Sequence, residues 1–370
     1  MMMKYLINLC CSSLFVVYTI TAYAQSKYKI AFDKQLASNT MYSKGNIGKF
    51  ASSKNAYNFM AMGYYLDANN IMYTKTGDIE YLNNNLKIVE AVLLNNSAYS
   101  QNKWLVSVNK NNQNVNSNGQ QSLVFEGYFF RYLGDFLFVI KGKNLFKEKH
   151  SRIQTALRSA FDKWNTRSLN GYNDQSRLFH ERLHIGANWA VVAMYLNIFN
   201  PNSSYKKFQD DFDFQLRKAL KIVNKNGRDC YVWNSTYSDR FTGSLKKIAK
   251  YTAEVQDVTH GNHIVNYVLT ANRLKKGGWG EDDLRKFSNT LGILIWNAST
   301  QTFSDNVDGS KSSARELRGT GWKQSDGWMK LMDFDTDLRK YYESFYSKNK
   351  NTIDKSSLGL QFIANLYSTK

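Results

Sequence analysis

Proline is almost missing from this chain: Pro201 is the only one in 370 residues. Proline supplies rigid turns and linkers, so its scarcity argues against a β-rich or multidomain protein. It suits long helices joined by Asn-, Ser-, Gly- and Lys-rich loops. Cysteine is scarce too. Of three, Cys10 and Cys11 lie near the N-terminus and Cys230 stands alone. Loss of the N-terminal segment would leave no partner for a disulfide, so the fold has to rest on its core. After the first 24 residues no run reaches the roughly 18 uncharged apolar residues of a membrane-spanning helix. Acidic residues are outnumbered by basic ones, 30 to 49, which gives a net charge of +19.

The N-terminus carries the one charge Lys4, an apolar run Leu14–Ile20 and then Ala22-Tyr23-Ala24. This is the n-region, h-region and A-x-A pattern of a signal peptide over residues 1–24, leaving residues 25–370 as one catalytic domain. The expected location is periplasmic or secreted, with no membrane span. Outside the cytoplasm a strongly basic protein meets acidic polysaccharide more readily than nucleic acid, so an acidic polysaccharide is the expected partner, bound by a monomer. Basic surface can also be plain solvation.

Apolar periodicity predicts helices over Asn55–Thr74, Ile79–Leu94, Leu123–Ile140, Lys147–Trp164, Ser176–Phe199, Tyr205–Val223, Leu245–Leu274 and Glu281–Trp296. Shorter ones are predicted at Trp328–Met332, Asp335–Ser347 and Ser357–Tyr367. Asn102–Gln121 and Asn226–Ser244 read as long loops, the second with room for a short hairpin. No composition break divides the chain. The fold class is therefore all-α. Helical hairpins in series close into an (α/α) toroid, an incomplete or complete ring, or else stack as an open solenoid; no fixed-period repeat supports the solenoid.

Chemistry concentrates in two short stretches. Four of the five histidines are His180 and His184 in LFHERLHIGANW, and His260 and His263 in DVTHGNHIVNY. On helices, His180, His184 and Asn188 would share one stripe, and Gln256, His260, His263 and Tyr267 another. His180-Glu181-Arg182-Leu183-His184 matches H-E-x-x-H, which on a helix places two imidazoles to hold zinc. Arg182 beside the ligands, and the lack of any Glu from Arg182 to Ala253, argue against that site, so no metal is expected.

The same residues suit proton transfer on a sugar acid. Elimination from a uronate needs a group to neutralise the carboxylate, a base and an acid. His184, Asn188, His260, His263 and Tyr251 are the catalytic candidates; Tyr267 and Tyr237 are weaker choices than Tyr251. His180, Arg182, Glu126, Arg240, Arg315, Arg318 and Trp328 are the substrate-binding candidates, since Arg grips carboxylates and Trp stacks on sugar faces. For Glu126 a buried ion pair with Arg131 is the favoured reading over a substrate contact. The alternatives are a glycoside hydrolase using two carboxylates, such as Asp257 with Glu126 or Glu181, a zinc peptidase, and a glycan-binding protein without activity.

Three stretches, MGYYLDANNIMYTKTGDIEYLNNNLKIVEAVL, RLHIGANWAVVAMYL and YTAEVQDVTHGNHIVNYV with the later GWKQSDGWMKLMDFD, resemble the (α/α)-toroid polysaccharide lyases of the alginate and glucuronan type. The resemblance implies a single toroidal domain, β-elimination on a uronic-acid polymer and no obligatory cofactor. It also implies an Asn/His neutralising group just before Trp189-Ala190, where His184 and Asn188 stand.

Overall fold

The computed structural model describes residues 27–42, 45–53, 55–94, 123–172, 182–236, 254–310 and 320–369. A first helix, α1, covers 27–38 and was not anticipated from the sequence. Then come α2 (Ile47–Ser52), α3 (Ala56–Thr76), α4 (Ile79–Leu94), α5 (Leu123–Gly142), α6 (Lys147–Tyr172), α7 (Leu183–Phe199) and α8 (Ser203–Ala219). A hairpin of β1 (Lys221–Lys225) and β2 (Arg228–Val232) precedes α9 (Val258–Arg273) and α10 (Glu281–Asn289). The chain continues through a π-turn (Thr290–Ile295), a tiny hairpin of β3 (Trp296–Asn297) and β4 (Thr302–Phe303), and a 3-10 segment (Trp328–Asp333). It ends in α11 (Asp337–Asp354) and α12 (Gly359–Ser368).

Packing closes these elements into a ring. Helix α3 packs on α5, α5 on α7, α7 on α9, α9 on the 3-10 segment, that segment on α12, and α12 back on α3. The remaining long helices lie outside: α4 on α3, α6 on α5 and α7, α8 on α7, and α11 on α12. This is the expected toroid of helical hairpins. Burial follows from position. In α7 every residue from Leu183 to Leu196 is buried, as a helix covered on all sides requires. Outer α8 buries only Tyr205, Phe208, Gln209, Phe212, Asp213 and Leu216, a single stripe at helical spacing.

The inner helices run parallel, which puts their N-termini at one mouth of the ring. Gly127 of α5 faces Asn188 and Trp189 of α7, and Gly134, seven residues on, faces Tyr195, about seven residues on in its turn. Local signals set the ends. Asn55 caps α3 by accepting from the Tyr57 N–H at 2.9 Å, and Gly77, at φ 74°, ends it in the left-handed region that favours glycine. Helix α7 stops at Asn200, ahead of Pro201.

Several helix boundaries differ from the sequence expectation. Helix α7 begins at Leu183 rather than Ser176, and α9 at Val258 rather than at Leu245, the start of an expected span whose residues 245–253 lie outside the described residues. Helix α8 ends at Ala219, so Lys221–Val223 belong to a strand. Asn226 (φ 54°) and Gly227 (φ 75°) form the two-residue turn that mirrors the strand twist, and this Asn-Gly turn decides the segment for β. The proposed signal peptide, residues 1–24, and the Asn102–Gln121 loop lie outside the described residues. Among the described residues no helix is long and apolar enough to cross a membrane.

Close approach of α3 and α5 depends on Gly63. A Cβ there would sit 2.9 Å from the Tyr128 carbonyl oxygen and 3.2 Å from the Phe129 Cα, both backbone atoms that cannot swing away. Ala is favoured over Gly in a helix interior by about 1 kcal/mol, so the sign is diagnostic. Gly63→Ala is expected to lower unfolding stability by about 1–3 kcal/mol through overpacking, read as a lower denaturation midpoint; an unchanged or higher midpoint would refute the close-packed contact.

Candidate active site

The segment after the β1–β2 hairpin determines where the imidazoles go. Residues 233–236 lie between the start of α7 and the approach to α9. On one side Arg182 pairs with Thr236 in antiparallel fashion, and the Leu183 N–H donates to the Ser235 carbonyl at 3.0 Å. On the other, the Ser235 N–H donates to the Glu254 carbonyl at 3.0 Å and the Gln256 N–H to the Trp233 carbonyl at 2.9 Å. Arg182 is thereby held extended (φ −114°, ψ 129°), and the helix cannot start before Leu183. Trp233 anchors the segment by stacking on Trp328, ring centroids 6.0 Å apart, both indoles being buried.

Helix α9 is capped by Asp257, whose carboxylate accepts from the His260 backbone N–H at 2.9 Å and from His260 Nδ1 at 2.7 Å. An ionised carboxylate only accepts, so a ring proton sits on Nδ1 and Nε2 is the nitrogen left for another partner. Burial would raise the Asp257 pKa, but the His260 imidazole and backbone N–H, with Arg182 beyond them, outweigh it and hold the carboxyl below its ordinary value. His260 is the open edge of the cluster, with 41 % of its side chain exposed.

Behind it lie His184 and His263. The His184 ring stacks on His260 with centroids 4.3 Å apart and stands 5.8 Å from that of His263. His263 is buried between two partners. Its Nε2 is 2.7 Å from the Tyr128 hydroxyl. Its Nδ1 is 2.8 Å from Asp326 Oδ2, close but off the line of a well-formed hydrogen bond. Arg131 Nη2 meets the same Asp326 oxygen at 2.5 Å. Burial, then the Arg131 charge and the neighbouring His184 and His260, push the His263 pKa well below that of free imidazole. A neutral ring with Nδ1–H toward Asp326 accepts the Tyr128 O–H at Nε2. Burial raises the Tyr128 pKa, so its proton stays on at neutral pH.

Asp326 is held in place from α9. Asn266 Nδ2 donates to its carbonyl at 2.8 Å, and Asn262 Oδ1 accepts from the N–H groups of Gly327 and Trp328 at 3.0 and 3.1 Å. A Cβ at Gly327 would lie 2.1 Å from the Asn262 carbonyl oxygen, so only glycine lets the loop approach this closely. Asn188 is buried beside the cluster, and neither amide atom has a hydrogen-bond partner among the described residues.

The structure thus brings His184, Asn188, His260 and His263 to one mouth of the ring, with Arg182 at its edge. It separates other candidates. The H-E-x-x-H pattern does not lie on one helix, since Arg182 is extended, so the helical zinc arrangement fails. His180, Glu181, Tyr237, Tyr251, Arg240, Arg315 and Arg318 lie outside the described residues. Trp328 is fully buried and donates to the Val258 carbonyl at 3.0 Å, leaving no face for a sugar. Glu126 is buried against Lys163 (2.5 Å) and Trp164 (2.8 Å), a structural ion pair rather than a substrate contact. Its partner is not Arg131, which belongs to Asp326. Tyr267 is in the core, donating to Asp213 at 2.5 Å, and Gln256 precedes the helix of its supposed stripe. Sequence reasoning missed Tyr128 and Asp326. Both lay beside residues it had singled out, in FEGYFFR and SDGW.

No family model matches this sequence, and no curated protein matches it. Among solved structures the chain resembles the GH76A α-1,6-mannanase of Salegentibacter sp. HEL1_6. Two matches are to inactive variants holding α-1,6-mannotriose or α-1,6-mannotetrose. Each match covers 88% of this chain and 98% of the mannanase at 10% identity and a TM-score of 0.48. These neighbours are glycoside hydrolases and not lyases, so the expectation of a lyase with alginate as substrate is withdrawn. At such distance they say nothing about what this chain itself cleaves.

The neutral state of His263 has a consequence for stability. Near pH 7 neither the folded nor the unfolded chain protonates it. Below about pH 6.5 the unfolded chain does and the folded chain does not, so stability falls as pH drops. The groups facing it are Tyr128, Asp326, Arg131, His184 and His260. The denaturation midpoint of the wild type is expected to fall between pH 7.5 and 5, and His263→Gln is expected to flatten that slope. Equal slopes in the two proteins would assign the effect to another group.

Proposed function

We propose that this protein is a glycan-acting hydrolase whose active site is the imidazole mouth of the ring. The observation that carries the reading is the presence of two unlike proton-handling groups on the His184, His260 and His263 cluster. On the open side, Asp257 holds His260 by Nδ1 and leaves Nε2 out of that contact, on a side chain that is 41 % exposed. On the buried side, Tyr128 keeps its proton, supported by neutral His263, Asp326 and Arg131. Hydrolysis of a glycosidic bond needs this division: a base to take a proton from water, and an acid to give one to the departing oxygen.

In this scheme His260 Nε2 takes the water proton as the oxygen attacks the anomeric carbon, and Asp257 stabilises the imidazolium that forms. For the second transfer the Tyr128 O–H turns from His263 Nε2 to the leaving oxygen and gives it the proton. The phenolate is stabilised by the guanidinium of Arg131, 5.5 Å from the ring. The proton on His260 then returns to the phenol through water. Asn188 contributes an amide that a substrate hydroxyl can satisfy, removing the cost of a buried unpaired group. Arg182, 28 % exposed at the rim, is a binding residue in the same scheme.

The test is reducing-end release, without formation of an ultraviolet-absorbing unsaturated sugar, on a panel of neutral and acidic polysaccharides including α-1,6-mannan. Folded protein that releases nothing across the panel would sink the proposal. On the substrate found, His260→Ala and Tyr128→Phe are each expected to lower kcat by roughly 10²–10⁴-fold, the usual contribution of a general acid or base. Asp257→Asn is expected to lower kcat as well, while a KM effect alone in all three would assign these residues to binding.

A further inference from the structure

At the opposite mouth, where the inner helices end, lies a separate cavity of about 540 Å³. It is built from the C-terminal halves of α3, α5, α7, α9 and α12 and the end of the 3-10 segment. Its volume falls in the range of small-molecule sites, roughly 300–1,000 Å³. None of the imidazoles lines it.

The lining has two kinds of surface. Ile71, Val139, Val191 and Leu269 make an aliphatic wall, and Phe334 stands at the edge with half of its surface exposed. Facing these are two ion pairs. Arg273 Nη2 is 2.6 Å from Asp135 Oδ1, with 48 % and 16 % of the side chains exposed. Lys330 Nζ is 2.8 Å from Asp67 Oδ2, with 21 % and 4 % exposed. Lys75 is already used, donating to the Ser368 carbonyl at 2.7 Å at the end of α12.

Charge decides what such a cavity accepts. Asp135 and Asp67 are each matched by their own cation, Arg131 is matched by Asp326 behind the wall, and Lys75 and Asp333 add one charge of each sign, so no net charge is left over for a charged ligand. The helix C-termini around the mouth add partial negative charge, which disfavours an anion. An Asp–Arg or Asp–Lys pair does present a hydrogen-bond acceptor and a donor side by side. Neighbouring hydroxyl groups offer the complementary pattern, since each can donate and accept. An aromatic edge and an aliphatic wall suit the C–H face of a sugar ring.

We propose that this cavity is a second, non-catalytic site for a neutral mono- or disaccharide, held by the Asp135–Arg273 and Asp67–Lys330 pairs and covered by Phe334. The inference does not rest on the hydrolase reading: Arg131 and Asn266 reach the lining from the imidazole site, but the two ion pairs and Phe334 that hold the ligand do not belong to that site.

The experiment is ligand-observed NMR and calorimetric titration of the full chain with glucose, mannose, galactose and maltose, and with glucuronate and benzoate as anionic probes. Saturable binding of at least one neutral sugar is expected, stronger than that of either anion. Leu269→Trp, which fills the cavity, is expected to abolish it. Phe334→Ala, a change at an exposed position with little bearing on folding, is expected to weaken it about fivefold, the scale of one aromatic contact. His260→Ala is expected to leave it intact. The proposal is overturned if the folded wild type binds no neutral sugar or prefers the anions. It is also overturned if binding survives Leu269→Trp or is lost in His260→Ala.

Discussion

A four-residue strap decides the geometry of the whole candidate site. Residues 233–236 hydrogen-bond to the start of α7 on one edge and to the approach to α9 on the other. Helix N-termini leave backbone N–H groups without intrahelical partners, and here the strap's Ser235 carbonyl takes one of them, that of Leu183. The same contact holds Arg182 extended and so fixes which residue opens the helix. Shift that start by one residue and His184 turns by about 100° around the helix axis. Its stack on His260 would then be lost.

Burial does the rest of the chemistry. His260 and His263 stand three residues apart on one helix, yet their surroundings differ. His260 faces solvent with an ionised carboxylate behind it. His263 is enclosed, where a charged imidazole would lose its hydration, and the nearby Arg131 adds to the penalty. Two copies of the same side chain thus take different roles through position alone. Fixing Asp326 is the condition for this. Its loop is clamped onto α9 by Asn262 and Asn266 and allowed in by Gly327, so the carboxylate cannot move away from Arg131 and His263.

The sequence made much of the fold legible. Proline scarcity and apolar periodicity pointed to a closed series of helical hairpins, and the ring of α3, α5, α7, α9 and α12 has that form. One error fell where a non-local contact overrode the local pattern, and another where a local turn signal was passed over. Leu183 is a helix start because of Ser235, some fifty residues away. Lys221–Val223 are a strand because Asn226-Gly227 turns the chain back. For the site, the histidine clusters marked the correct helices because imidazole is rare here and was concentrated. Tyr128 and Asp326 were not marked, since tyrosine is abundant throughout and one aspartate in a loop has no local signature. Trp328 and Glu126 were placed on the substrate by residue type alone, and the packing put both in the interior.

What the amino-acid order determined by itself was periodicity and composition: which stretches coil, which helix faces are apolar, and on which helices the imidazoles sit. These are properties of neighbours along the chain, governed by backbone sterics and the 3.6-residue repeat. Only the tertiary structure decided which imidazole meets solvent, which carboxylate each one faces and which ion pair closes behind them. Those outcomes depend on desolvation and on hydrogen bonds between residues far apart in the chain, and neither can be evaluated until the ring has closed.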